Sequence, residues 1–483
     1  SPIAGTALRG LGNLEARSAG YSWIDNQPVA GAVYYLEDID IKGVRTLHGP
    51  VAPKLQFSNY SQKSSANLLA DLAKLSKPSE QIERLGEGEQ FAAKETLNGE
   101  RQFEIAAQRG AKIVVRRDGW YRVSTAELAA AGFDVKSAPE NWQLFTGGEE
   151  VAFRIGEAGE IEFYGRALDT PETDKRVYYL VAGDRPGLRL PETAAGPVEK
   201  RNDAEAFRNT AVMRDRSMYL VALLNGDAEN WFGQVLFQNS TSVHNLSAHN
   251  PAADGTARLK VKLQGVSSTR HTISLKYNDL ELGVLDFEGA ANETFQFDIP
   301  MSAVAENNQI VLSNLSGSSD VTAVDEISLS YERLYIAHND KLNFSVPAGK
   351  TVEVKGFTTS DISLIEISGG RAVRRFAVAP EQTENGFGFS LDAAGYDREF
   401  IAVADGQTAA ADSVSVNSPS TWHRAGNKAD FVIIAPERFR EPAETLAGVR
   451  TKEGLLTEFV AVEDIYDEFG FGAGSVYAIK DFL

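Results

Sequence analysis

Between residue 111 and about residue 420 the sequence changes character at every second position. Runs such as "RLKVKLQGV", "HTISLKYND", "TFQFDIP" and "NQIVLSN" set an apolar side chain beside a polar one, and each run stops at a polar or glycine-bearing turn. Successive side chains of a strand point to opposite faces, so this pattern suits half-buried antiparallel strands rather than helices. Repeated at short spacing, it predicts β-sandwiches. The expected fold class is mainly β, with tandem β-sandwich domains of immunoglobulin or jelly-roll type and then an incomplete C-terminal α/β unit.

The rest of the chain divides around that core. In residues 1–52, "YYLEDIDIKGVRTLHGPV" alternates, turns at Lys42-Gly43 and resumes, which is a hairpin and reads as the last part of a sandwich. Residues 53–110 offer one short amphipathic helix, with Leu68, Leu69, Leu72 and Leu75 on one side, followed by a polar, glycine-punctuated linker, "SKPSEQIERLGEGEQFAAKETLNGERQ". A β-rich unit is expected over 111–200, interrupted by the helix "TAELAAAG" that stops at Gly132. A sandwich follows over 201–340, including a strand at "SMYLVALL", and a smaller one over 341–425.

After residue 425 the pattern switches. "FVIIAP" is continuously apolar, as in a strand buried on both faces, and "LLTEFVAV" is a second strand. Between them "EPAETLAGVRTKEG" is helical, with Pro442 near its start and Gly454 as its stop. Ser475 is a helix N-cap, and Val476, Ile479 and Leu483 recur behind it at helical spacing. This βαβα order makes the two strands parallel. Two strands and two helices bury little, so residues 430–483 are expected to be half of a domain. A later part of the chain or a separate chain would complete the sheet, or the segment would dock on the preceding β-domain.

Composition excludes several function classes. The formal charge is −19 and the pI about 4.9, which disfavours a nucleic-acid partner bound through its phosphates. No stretch approaches the ~20 apolar residues of a membrane span, and Ser1 begins no recognisable signal peptide. There is no cysteine, hence no disulfide, no thiolate metal site and no Cys nucleophile in these residues.

Candidate sites are few. His244 and His249 in "HNLSAH" stand five apart, one too many for a helical metal pair, and the stretch reads as a loop. Asp38, Asp40 and Gly43 partly mimic a calcium loop, but Lys42 stands where a ligand should be, so a hairpin turn is expected. "GFGAG", Gly470 to Gly474, lacks the GK[ST] of a phosphate loop, and its glycines instead turn the chain into the last helix. Trp231 and Phe232 suit a core pair better than a sugar platform. Glu463, Asp464, Asp467 and Glu468 read as a solvated acidic face near a helix start. Sequons at Asn59, Asn239 and Asn292 are short enough to arise by chance. No catalytic, cofactor or metal residue is assigned, and no cofactor is expected.

Two regions carry a family resemblance. "DFVIIAPERF…LAGVRTKEGLLTEFVAVEDIYDEFGFGAGSVYAIKDFL" resembles the opening of the gingipain-type cysteine peptidase domain, a caspase-like α/β fold. "GWYRVSTAELAAAGFDV…NWQLFTGGEEVAF…IEFYGRALDT…DKRVYYL", continued by "LLNGDAENWFG", resembles the β-rich segment preceding that domain in large secreted bacterial relatives. The N-terminal hairpin resembles the end of a fibronectin type III-like module. The family's catalytic His and Cys lie on later strands of the caspase-like sheet, so no catalytic position carries over. The resemblance implies the non-catalytic N-terminal portion of a secreted or cell-surface bacterial cysteine peptidase. Such a portion is inactive by itself, and its partner is a downstream peptidase domain or a completing chain. The alternatives are an extracellular module that binds cell-surface proteins or glycans, and a structural subunit of a surface layer or filament.

Overall fold

The computed structural model describes residues 34–39, 45–51, 81–86, 97–195, 203–221, 223–225, 228–317, 319–384, 386–392 and 395–483. The chain divides into two compact units, Ser1–Lys74 and Leu75–Leu483. In the first, Tyr34–Ile39 pairs antiparallel with Arg45–Val51, with Leu36 opposite His48 and Ile39 opposite Arg45. The Lys42-Gly43 turn, the rest of the expected fibronectin-like module and the leucine helix at 68–75 lie outside the described residues.

The second unit is mainly β. Its first body has a five-stranded antiparallel sheet in the order Ser413–Asn417, Gly110–Val115, Arg176–Ala182, Trp142–Thr146, Glu149–Val151. A three-stranded sheet of Gly119–Val123, Ile161–Gly165 and Arg154–Ile155 lies beside it, and Ile113, Val123, Leu144, Phe163 and Leu180 form the core between them. The strand "RVYYLVA" is apolar at nearly every position because both its faces are covered. Tyr178 and Leu180 face this core, whereas Val177, Tyr179 and Val181 pack with Ile105 and Phe145 in a separate cluster.

The second body is a sandwich. A six-stranded sheet runs Asn292–Pro300, Thr256–Gly265, Val321–Leu334, Ala206–Met213, Gln81–Leu85, with Val235–Phe237 also paired to Val321–Leu334. It faces a four-stranded sheet of Thr241–Ser247, Asn307–Asn314, Arg270–Tyr277 and Leu280–Glu288. The period-two reading holds: Leu259, Val261 and Leu263 meet Ile273, Leu275 and Tyr277 in one core. The third body pairs a five-stranded sheet ending in Arg398–Ala404 and Lys341–Val346 with a three-stranded one of Thr351–Phe357, Gly386–Asp392 and Glu381–Thr383.

Two local readings change. The stretch taken for a linker supplies the edge strand Gln81–Leu85, held by register pairing to Asn209–Met213, and the helix Gly99–Ala106, capped by the Asn98 side chain. Their polar sequences suit an edge strand and a surface helix, whose supporting contacts come from distant residues. "SMYLVALL" yields only the two-residue strand Met218–Tyr219. After it the chain loops, with Asn230 Nδ2 donating to the Leu223 carbonyl and Leu224 left 96% exposed.

The C-terminal α/β unit has Phe431–Ala435 parallel to Thr457–Ala461, with Ile433 opposite Phe459. The Arg440–Lys452 helix covers the face carrying Ile433, Phe459 and Ala461. The Val462–Phe469 and Val476–Phe482 helices cover the opposite face, where Ile434, Val460, Ile465 and Ala478 pack with Trp422. The apolar face of the last helix is rotated from the one expected. Ala478, Ile479 and Phe482 pack inward, while Val476 and Leu483 are exposed.

Candidate functional site

A cluster of buried ionisable groups forms a joint between the α/β unit and the first β body. It grows out of "VEDIYDEF". As a helix, this segment turns Ile465 and Phe469 toward its own sheet, and it buries Asp467 and Glu468 on another side. The expectation of a solvated acidic face is therefore corrected, because these two carboxylates lie beneath the Gly99–Ala106 helix and the Arg176–Ala182 strand.

Each carboxylate is fully met by donors. Lys112 Nζ lies 2.7 Å from Asp467 Oδ2, the Tyr179 hydroxyl donates to Asp467 Oδ1 at 2.8 Å, and Gln102 Nε2 donates to the Asp467 carbonyl at 2.6 Å. Burial pushes the Asp467 carboxyl above its usual range, and the Lys112 ammonium and the Tyr179 hydroxyl oppose that rise. Burial, and then the Asp467 charge, push Tyr179 well up. Glu468 Oε1 accepts from the Trp422 amide at 2.8 Å, and its Oε2 accepts from the His423 amide at 2.9 Å. His423 Nδ1 lies 2.6 Å from the same oxygen, with its ring stacked on Phe103 at 4.4 Å. Trp422 Nε1 donates to Asp464, whose carboxyl burial also pushes up.

The glycine run completes the joint. Gly472 has φ +84°, and a Cβ there would stand 2.5 Å from Val177 Cβ and 2.6 Å from the Tyr179 hydroxyl. Only glycine permits both that backbone conformation and that approach. On the other flank Asn417 Nδ2 donates to the Gln108 carbonyl at 2.6 Å, and the Ser420 amide donates to the Ala106 carbonyl. Such an arrangement fixes orientation. With the oxygens of Asp467 and Glu468 all engaged, neither carboxylate is a free base.

The other candidates separate. His244 lies buried in the sandwich beside Ser242 Oγ, with burial holding its imidazole down at about 4, while His249 stacks on His338. They form no metal pair, and no group of three or more His, Cys, Asp or Glu suited to a metal ion exists among the described residues. His271 Nδ1 lies 2.5 Å from Asp320 and 2.8 Å from Thr322 Oγ1, partners like those of a catalytic imidazole, but the ring is sealed in the core. Phe232 is buried as a core residue, whereas Trp231 is half-buried against exposed Tyr219, with ring centroids 5.2 Å apart. The Asn292 side-chain nitrogen is occupied by Gln264 and Asp325. Asn59 and the Asp40–Gly43 turn lie outside the described residues.

A family model, Peptidase family C25, matches residues 424–483, the whole α/β unit. The C-terminal segment is similar to the corresponding part of peptidase family C25. The gingipain-type relationship read from "VEDIYDEF" and "AIKDFL" thus stands. The fold is similar to dimeric latent PorU from Porphyromonas gingivalis, at a TM-score of 0.59 and 14% identity over 78% of this chain. The chain spans 39% of the length of that relative. A further likeness, to the CBM36-1 domain of a multidomain xylanase from the hindgut metagenome of Trinervitermes trinervoides, has a TM-score of 0.19 and 13% identity, covering 25% of this chain and 95% of that one. No curated protein matches the sequence.

Proposed function

We propose that this chain is the non-catalytic N-terminal portion of a secreted gingipain-like cysteine peptidase, in which the β bodies hold the first strands and helices of the peptidase domain in a fixed pose. The joint at Asp467 carries this reading. A buried ion pair gives little net stability against a well-packed apolar contact, but it penalises every misdocked geometry. The C25 segment is thereby oriented on the body built from Lys112 and Tyr179.

Proteolysis in this reading belongs to a Cys thiolate and its activating His outside these residues, since the chain contains no cysteine. The partner is further peptidase-domain sequence or a completing chain. Among the described residues, Phe431–Ala435 and Thr457–Ala461 pair only with each other, and parallel sheets are normally larger. No described helix is long and apolar enough to cross a membrane, and a secreted or surface-held protein is proposed on the C25 resemblance. The proposed domain division keeps a fibronectin type III-like module up to residue 52.

The test compares the full encoded protein with this 483-residue chain on peptide substrates, with and without a thiol-directed inhibitor. Inhibitor-sensitive turnover is expected in the former and none in the latter. Turnover by the 483 residues, or inhibitor-insensitive turnover by the longer protein, refutes the reading. A glycan-binding role has one observation in its favour, the exposed Tyr219 against Trp231. Saturable glycan binding lost in Tyr219→Ala would favour it.

A further inference from the structure

The three β bodies meet around a cavity of about 740 Å³ that the joint does not use. Its wall is rich in hydrogen-bond donors and incompletely paired. The Trp120 side chain is 2% exposed, yet its Nε1 has no acceptor among the described residues. A buried donor of this kind is rare in folded proteins.

Charge tells the same story. The lining counts four cations, Arg116, Arg117, Arg333 and Lys341, against three carboxylates, Glu83, Asp118 and Asp412. Arg116 pairs with Asp174 at 2.7 Å and with Asp412 at 2.9 Å, and Arg333 with Glu83 at 2.6 Å. Asp118 accepts from the Ala167 amide at 2.8 Å. Lys341 makes no ion pair among the described residues, and burial pulls its ammonium below the usual lysine range.

The turn that carries Lys341 is also held in place. His338 and Lys341 flank a two-residue turn in which Asn339 and Asp340 have φ of 50° and 59°, the left-handed pair of a type I′ hairpin. The Asp340 carboxylate accepts from the Thr358 amide at 2.6 Å and the Thr358 hydroxyl at 2.7 Å, and the Asp340 carbonyl accepts from the Ala404 amide at 3.0 Å. Both flanking side chains line the cavity. The turn is thus braced from two strands, and such bracing reduces the ordering cost of presenting Lys341 and His338 to a ligand.

We propose that this junction cavity binds a small ligand through a single carboxylate, with Lys341 as its counter-ion and His338 beside it. A single carboxylate would give Lys341 the ion pair it lacks among the described residues. The neutral amides of Asn343 and Gln407 on the same wall suit hydroxyl or amide groups next to the carboxylate. An acidic sugar and a peptide C-terminus share this chemistry.

Isothermal titration calorimetry on the 483-residue chain tests it, with glucuronate against glucose and acetyl-Gly-Gly acid against its amide. Saturable binding is expected for at least one acid, about tenfold or more tighter than for its neutral counterpart, as a charge-assisted contact requires. Which acid binds identifies the source. Lys341→Met should weaken it about tenfold with the melting temperature unchanged, His338→Asn should weaken it less, and Lys428→Ala, at an exposed site elsewhere, should leave it intact. The proposal is overturned if neither acid outbinds its neutral counterpart, or if Lys341→Met binds as the parent does.

Discussion

Replacing Lys112 by methionine should loosen the α/β unit while leaving the sandwiches untouched. The substitution keeps the aliphatic stem and removes the ammonium that lies 2.7 Å from Asp467. The Asp467 side chain is 6% exposed and that of Lys112 20% exposed, so the carboxylate loses its counter-ion where water cannot replace it. Removing one partner of a buried pair costs roughly 3–5 kcal/mol. The Tyr179 hydroxyl still serves one oxygen, which puts the expectation at the low end, about 3 kcal/mol, or roughly a hundredfold in the undocking equilibrium. Hydrogen exchange reads this directly. Amides of Thr457–Ala461 and Val462–Phe469 should lose about two orders of magnitude of protection, with those of Thr256–Gly265 unchanged. Asp467→Asn should cost less, because Lys112 can turn toward solvent. Lys112→Met with Asp467→Leu should cost less than the two single changes summed. Protection within threefold of the parent in Lys112→Met, or a loss shared equally by the sandwich strands, would refute the argument.

Other outcomes follow from single positions. Gly472→Ala should undock the same unit, since a left-handed φ costs an L-residue about 1–2 kcal/mol before any clash with Val177. Gly474→Ala should be nearly neutral, because its Cβ meets Tyr466 at an ordinary 3.6 Å; limited proteolysis separates the two. Burial holds the native His244 imidazole at about 4, whereas an unfolded histidine titrates near 6.5. Between those values the unfolded chain takes a proton that the native one refuses. The sandwich therefore loses stability as pH falls through that window, by roughly 3 kcal/mol, and loses no more from this group below it. Urea unfolding across pH should show that slope shrinking in His244→Gln relative to the parent.

The sequence declares its strands and conceals its contacts. Alternation in "RLKVKLQGV" and "HTISLKYND" suffices to place Leu259 and Ile273 in a core, because a strand's faces follow from its own residues. The continuous run "FVIIAP" likewise announces a strand covered on both faces. What the residues of "VEDIYDEF" could not disclose is the fate of Asp467 and Glu468. Lys112 is 355 positions away from Asp467, and Tyr179 is 288 away. A helix with apolar residues on one side and carboxylates on another looks solvated until the second surface is known. One local signal was available: the glycines after the helix permit a close backbone approach, and Gly472 makes one against Val177. The strand Gln81–Leu85 was hidden for a similar reason, since an edge strand needs few apolar residues when its partner supplies the ladder. "SMYLVALL" misled in the other direction, with side-chain amides folding an apolar run into a loop.

The strand Ser413–Asn417 closes the first body by pairing with Gly110–Val115, and Asn417 grips the Gln108 carbonyl from 309 positions away. During synthesis at ~5–20 residues per second, the Gly110–Val115 edge waits roughly 15–60 seconds for that strand to emerge. Until then it offers unpaired amides and carbonyls to any neighbour. Completion of the first body therefore certifies that everything between has been made and folded compactly enough to bring the ends together. The α/β unit follows immediately after this closure, so a chain whose sandwiches fail would deliver that unit to a body still lacking its last strand.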